Sequence, residues 1–258
     1  MAGTTIAIAN KPIWIDLATP DAKASGEFYS KLLGWRIEVN PDPQYGGYGV
    51  AKLDGADVAG IGPKQSPDAP TAWSLYIGTR DVDELAKRVQ AAGGTVAVPA
   101  FEVGDQGRMA VFQDPAGAFI SAWQATKMSG FAAEGQSAFA WAELSSRGLE
   151  KAIPFYGSVF GWSPKTSPAT AEAPAYTEFQ LDGVSIAGAM EMNPMAPAEM
   201  PSYWMAYLGV EDVNGSFKRA LDLGAQEMLA PQDFPGGRFA ILSDPQGAAF
   251  GLLRMAER

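Results

Sequence analysis

Asp16 and Glu143 are the side chains of this 258-residue sequence best placed to move a proton. Each stands two residues after a tryptophan, Trp14 or Trp141, in a short apolar run. Residues two apart on a strand share a face, so each carboxylate is expected beside its indole. Cores rarely hold unpaired carboxylates. In an apolar pocket, desolvation would raise such a pKa toward the range of a general base. The plainer alternative is structural: a carboxylate that accepts from loop amides or pairs with an arginine. Arg108 and Arg238 are the matching cations, each following a glycine and lying six residues before an Asp-Pro pair. They read either as clamps for an anionic or carbonyl group of a ligand or as salt bridges, within the hairpin to Asp114 or Asp244 or at the strand edge.

The missing residue types narrow the chemistry further. The sequence has no histidine and no cysteine. The usual neutral-pH acid/base, the commonest transition-metal ligand and the Ser-His-Asp and Cys-His arrangements are therefore absent. Disulfides and thiolate nucleophiles are excluded as well, leaving only an all-oxygen site for a hard cation. The net charge of −10 repels polyanions, so neither nucleic acid nor an anionic membrane is an expected partner. No Gly-rich phosphate loop suggests a nucleotide, and no cofactor is expected. The N-terminus lacks a signal-peptide pattern and no apolar run is long enough to span a bilayer, so the expected location is cytoplasmic.

These residues are repeated by an internal duplication of about 130 residues. Trp14-Ile15-Asp16-Leu17 returns as Trp141-Ala142-Glu143-Leu144. Phe28-Tyr29 and Gly34-Trp35 return as Phe155-Tyr156 and Gly161-Trp162. Leu53-Asp54-Gly55 returns as Leu181-Asp182-Gly183, and Asp114-Pro115 with Gly117 returns as Asp244-Pro245 with Gly247. The small, polar stretch 125–136 reads as a linker between domains at 1–124 and 137–258. Within each half, periodicity predicts two βαβββ modules. In the first half these are a strand at 13–19, a helix at 21–33 closed by Gly34, and strands near 35–39, 47–53 and 56–62. A strand at 71–78 follows, then a helix opened by Asp81, then strands near 95–98, 107–113 and 118–124. Loops at 41–49, 101–107, 169–176 and 190–201 read as mobile. The last carries Met190, Met192, Met195 and Met200, which suit either a lid over an apolar ligand or a plain connection.

The strand Trp14-Ile-Asp-Leu, the following Phe28-Tyr29 and Leu33-Gly34-Trp35, and the ending from Gly107-Arg108 to Asp114-Pro-Ala-Gly117 resemble the vicinal oxygen chelate superfamily of glyoxalases, bleomycin-resistance proteins and extradiol dioxygenases. The wording is particularly similar to duplicated actinobacterial members labelled glyoxalase-like or hydroxylase. The resemblance implies an α+β fold: four βαβββ modules forming two fused domains with concave mixed sheets. It puts the family's metal-ligand positions at Trp14, Trp73 and Ser121 in the first half and at Trp141, Trp204 and Gly251 in the second. Indoles cannot ligate a metal, which argues against glyoxalase I or extradiol dioxygenase chemistry.

If those strands face the family's cavity, its walls are indoles suited to a flat hydrophobic or aromatic small molecule, and Tyr76 and Tyr207 face away. The alternative is that the indoles plug an abandoned metal cavity. Two functions follow from the resemblance. One is metal-independent binding of such a molecule, for sequestration or resistance. The other is a metal-independent isomerase, cyclase or lyase of secondary metabolism using Asp16 or Glu143. A monomer or homodimer is expected, because fusion lets one chain make the pairing that single-copy relatives make as dimers.

Overall fold

The computed structural model describes residues 10–170 and 173–256. The first half runs β1 (Pro12–Thr19), α1 (Ala22–Leu33), β2 (Arg36–Val39), β3 (Gly49–Leu53), β4 (Ala56–Pro63), β5 (Ala72–Gly78), α2 (Val82–Ala91), β6 (Thr95–Val103), β7 (Gly107–Gln113) and β8 (Phe119–Ala125). The second half repeats this order: β9 (Phe139–Ser146), α3 (Leu149–Phe160), β10 (Ser163–Ser167), β11 (Tyr176–Leu181), β12 (Val184–Glu191), β13 (Tyr203–Gly209), α4 (Val213–Asp222), β14 (Gln226–Phe234), β15 (Gly237–Ser243) and β16 (Ala249–Met255). The α+β duplication of βαβββ modules therefore stands as the sequence implied. Within modules the strand orders are β2-β3-β4-β1, β5-β8-β7-β6, β10-β11-β12-β9 and β13-β16-β15-β14. In each, the first strand of the module runs parallel to its last and the remaining pairs are antiparallel.

Local chemistry explains the boundaries. Asp21 caps α1 by accepting from the Ala24 amide at 2.9 Å, and Gly34 closes it in the left-handed region at φ 81°. Asp81 caps α2 through the amides of Asp83 and Glu84. The strand β6 runs on to Val103, so most of the loop expected at 101–107 is ladder and tight turn.

The packing does not follow the sequence halves. One compact unit holds the described residues up to Ile13 with Leu75–Gly130 and Ala142–Trp204. The other holds Trp14–Ser74, Phe131–Trp141 and the residues from Met205 onward. Each unit thus joins one module from each repeat, and a buried polar relay crosses the repeats inside it. In the second unit, Trp73 Nε1 donates to the Tyr29 hydroxyl at 3.0 Å, and that hydroxyl donates to Asp244 Oδ2 at 3.1 Å. The other carboxylate oxygen of Asp244 accepts the amides of Gln246 and Ala248, both at 2.9 Å. In the first unit, Trp204 donates to Tyr156 at 2.8 Å and Tyr156 to Asp114 at 2.9 Å. The Phe-Tyr and Asp-Pro-x-Gly motifs are therefore two ends of one bond: each Asp-Pro turn is closed by the tyrosine of the other repeat.

The segment 125–136 is hydrogen-bonded along its length. The amides of Thr126, Lys127 and Met128 all donate to the Gln106 carbonyl, and the Ala132 amide donates to the Asp57 carbonyl at 2.8 Å. The loop at 190–201 is also held, because Arg147 donates to the carbonyls of Ala196, Pro197 and Met200. Its methionines are not presented together: Met192 is buried and Met195 is 89% exposed. In the loop 169–176, residues 171 and 172 lie outside the described residues. No helix among the described residues is long and apolar enough to cross a membrane.

Candidate functional site

The faces of β1 are sorted by alternation. Ile15 and Leu17 are fully buried, whereas Asp16 and Ala18 are partly exposed on the other face with Trp14. Directly beside Asp16 in the parallel ladder lies Gly60 of β4. A Cβ at Gly60 would sit 1.7 Å from the Tyr48 hydroxyl and 2.9 Å from Asp16 Cβ, and one at Gly62 would sit 2.9 Å from the Tyr48 ring. Two glycines therefore make room for Tyr48 to lie across β4 and reach Asp16. Trp14 Nε1 donates to the Tyr48 hydroxyl at 3.0 Å, and Tyr48 in turn donates to Asp16 Oδ2 at 3.4 Å. The second contact is long for an O–H···O bond. Burial first, then the negative charge of Asp16, pushes the Tyr48 phenol well above its ordinary pKa, so it stays a proton donor at neutral pH. Phe131 adds a ring 5.7 Å from Trp14 and stacks on Phe139 at 4.9 Å.

Tyr48 and Phe131 were not among the expected site residues. The signal for Tyr48 was the duplication itself, since Tyr176 occupies the same place before Leu181 that Tyr48 does before Leu53. The second copy repeats the backbone pattern: Glu143 pairs with Gly188 as Asp16 pairs with Gly60. Trp141 and Glu143 are partly exposed there.

The structure reverses the expected faces of the other tryptophans. Trp73 and Trp204 point to the helix-bearing side, where each packs edge-on against the tyrosine to which it donates, Tyr29 or Tyr156. By alternation Tyr76 and Tyr207 take the opposite face, and both are buried, in keeping with the core position expected of them. Tyr76 stands beside Ser121, which is buried, and Tyr207 beside Gly251, where a Cβ would be 2.1 Å from the Tyr207 ring. Trp14 stays on the expected face, but it is only 2% exposed, so its indole backs the site rather than forming an open wall.

Both arginines are held in salt bridges, Arg238 across its own hairpin as the structural alternative allowed and Arg108 to a helix. Arg108 forks onto Asp83 of α2 at 2.7 and 3.3 Å, and holds that carboxylate below its ordinary pKa. Arg238 meets Asp233 at 2.7 Å and Asn214 of α4. Neither reaches Asp114 or Asp244, because those turns are already occupied by the tyrosine relay. Exposed pairs of this kind contribute about 0–1 kcal/mol. Arg108→Ala is accordingly expected to leave the urea unfolding midpoint close to that of the wild type.

A metal-binding reading finds little to work with. Of the six positions implied by the resemblance, only Ser121 carries a side-chain oxygen. Among the described residues no group of three or more His, Cys, Asp or Glu is arranged to hold an ion. The residues present do not fit a divalent transition-metal centre, and no chemical step is derived through one.

Comparison with known proteins agrees with this architecture. Residues 11–121 match the model of the Glyoxalase/Bleomycin resistance protein/Dioxygenase superfamily, and residues 141–253 match a glyoxalase-like domain. The chain is 38% identical over 252 residues to CFP32 of Mycobacterium tuberculosis (strain CDC 1551 / Oshkosh), covering 95% of each protein. It is 35% identical over 263 residues to the anthracycline biosynthesis protein DnrV of Streptomyces peucetius, covering 95% of this chain and 94% of DnrV. Among solved structures, the Mn(II)-bound glyoxalase of Novosphingobium aromaticivorans superposes with a TM-score of 0.63 at 16% identity, over 97% of this chain and 84% of that one.

Proposed function

The chain belongs to the glyoxalase/bleomycin resistance protein/dioxygenase superfamily, and from that membership we propose that it binds a planar aromatic small molecule, without a transition metal, on the face of β1–β4 that carries Asp16 and Tyr48. The observation that carries this reading is the donor chain from Trp14 through Tyr48 to Asp16, laid over Gly60 and Gly62 with Phe131 beside the indole. It offers the partly exposed rings of Tyr48 and Phe131, backed by the buried indole of Trp14, with one hydroxyl and one carboxylate to orient a ligand. Trp141 and Glu143 form the equivalent place in the second copy, and the domains so furnished are 1–124 and 137–258, joined through 125–136. The name of the relative DnrV, an anthracycline biosynthesis protein, is consistent with a ligand of this class.

The test is a titration with 1,4-dihydroxyanthraquinone in buffer containing EDTA, followed by quenching of tryptophan fluorescence. Saturable quenching is expected for the wild type. Tyr48→Phe is expected to weaken binding about tenfold, the worth of one orienting hydrogen bond of ~1–1.5 kcal/mol. Absence of saturable quenching by the wild type, or equal affinity in the variant, overturns the proposal.

A second reading, proton transfer on the bound molecule by Asp16 or Glu143, is favoured by the word biosynthesis in the name of that relative. It requires a chemically altered compound after incubation, and a fall in turnover of roughly 10²-fold for Asp16→Asn or Glu143→Gln. Compound recovered unaltered removes it.

A further inference from the structure

The two copies of the module differ on the helix side. In the first copy the space between α1 and the β2–β3 hairpin is filled by Ile37. Its side chain lies 3.0 Å from where a Cβ on Gly26 would be, and 2.8 Å from one on Gly49. The repeat puts Ile153, Pro164 and Thr177 at the places of Gly26, Ile37 and Gly49 in the second copy. The ladders agree, since Ile37 pairs with Ala51 as Pro164 pairs with Phe179. The larger side chain of Ile153 and the exposed Pro164 replace that arrangement in the second copy. A cleft of about 310 Å³ remains between the start of α3 and the β10–β11 hairpin, with Leu149, Ile153, Pro174 and Ala175 among its walls.

The polar groups of this cleft are all acceptors or hydroxyls. Glu150 and Glu191 line it, with Thr166 and Thr177, whose hydroxyls bond each other at 2.9 Å. Glu191 accepts the Leu149 amide through Oε1 at 3.0 Å, which caps a helix whose N-cap residue, Gly148, has no side chain to do so. Pro154 lies inside α3 and has no N–H, so the Glu150 carbonyl lacks its usual donor four residues on. The equivalent residue of α1, Glu27, has one. Among the described residues no lysine or arginine lines the cleft. Lys165 neighbours Thr166 but belongs to the other face of β10, opposite Glu178 in the ladder.

We propose that this cleft is a second binding site, peculiar to the C-terminal copy, for a small organic ammonium with a short apolar body. The apolar walls take the body, and the carboxylates of Glu150 and Glu191 take the N–H donors. The site uses other residues and another ligand chemistry than the Asp16–Tyr48 face, so either reading can fail without the other.

Phenethylamine is the probe, with 2-phenylethanol as the neutral control of similar shape. Binding is read from ¹H–¹⁵N shift changes of the full chain. Phenethylamine is expected to shift resonances of Leu149, Ile153, Thr166 and Thr177 saturably, and 2-phenylethanol to bind at least tenfold more weakly. The double variant Glu150→Gln/Glu191→Gln keeps an amide oxygen for the Leu149 cap and is expected to lose at least tenfold in affinity. The proposal is overturned if phenethylamine shifts none of these resonances at millimolar concentration. It is overturned equally if the alcohol binds as well, or if the double variant binds like the wild type.

Discussion

Replacing Tyr29 with Phe is expected to lower the unfolding free energy by roughly 2–6 kcal/mol, because it leaves two buried polar groups without their partner at about 1–3 kcal/mol each. The hydroxyl it removes accepts from Trp73 and donates to Asp244, and Tyr29 and Asp244 are 0% and 2% exposed. The ring itself would stay, so packing against Trp35, Trp73 and Phe250 is preserved and the loss reports the hydroxyl. Urea unfolding measures it. Trp73→Phe in the Tyr29→Phe background should then cost less than in the wild type, since the indole N–H has already lost its acceptor. Strict additivity would show that the relay is not a unit. Tyr156→Phe is the same experiment in the other compact unit and should give a similar loss, through Trp204 and Asp114.

The relay also sets an unusual pH dependence. Burial raises the pKa of Asp244 and of Asp114 above 3.8, against the lowering effect of the turn amides and of Tyr29 or Tyr156. The folded state therefore holds these protons more tightly than the unfolded state does. Their contribution to stability is full below pH 3.8 and is lost as pH rises through the folded pKa, the reverse of an ion-paired carboxylate. Asp244→Asn cannot titrate. The stability of wild type minus that of the variant should thus decline as pH rises from 3.8, and a difference that grows instead would contradict the assignment.

How much of this was legible in the sequence depended on how clearly each strand's two faces differ. In β1, Asp16 and Ala18 interrupt an otherwise apolar run, so alternation identified the face of Trp14 and Asp16 correctly. In β5, Trp73-Ser74-Leu75-Tyr76-Ile77, large apolar rings occur on both faces and both are buried. Periodicity cannot then choose, and placing Trp73 on a ligand-bearing face by resemblance put it one residue out of register. The duplication, the helix caps and the module order were readable because they depend on local spacing. The partner of Tyr29, 215 residues away, was not, although the joint recurrence of Phe-Tyr and Asp-Pro-x-Gly marked both ends of the bond. The partner of Arg108 was missed for a related reason: which carboxylate a long side chain meets depends on how helix and hairpin approach, and sequence spacing does not encode that.

Gly60→Ala should disrupt the candidate site more than any substitution of a side chain that lines it. The new methyl would lie 1.7 Å from the Tyr48 hydroxyl and 2.4 Å from the ring carbon that bears it, so Tyr48 has to leave its place across β4. With it goes the acceptor of Trp14, an indole only 2% exposed, at a cost of about 1–3 kcal/mol for the stranded N–H. The dihydroxyanthraquinone affinity should fall at least as far as in Tyr48→Phe, about tenfold, because the ring is displaced along with the hydroxyl. Tyr48→Ala provides the control. Once the tyrosine is gone a methyl at Gly60 meets mainly Asp16 Cβ at 2.9 Å, and the further cost of Gly60→Ala should shrink to roughly 0.5–1 kcal/mol, the scale on which contacting residues depart from additivity being 0.5–3 kcal/mol. An equal cost of Gly60→Ala in both backgrounds would mean that Tyr48 does not need the glycine. The Trp14–Tyr48–Asp16 chain would then be a consequence of packing rather than an arrangement the backbone of β4 is shaped to hold.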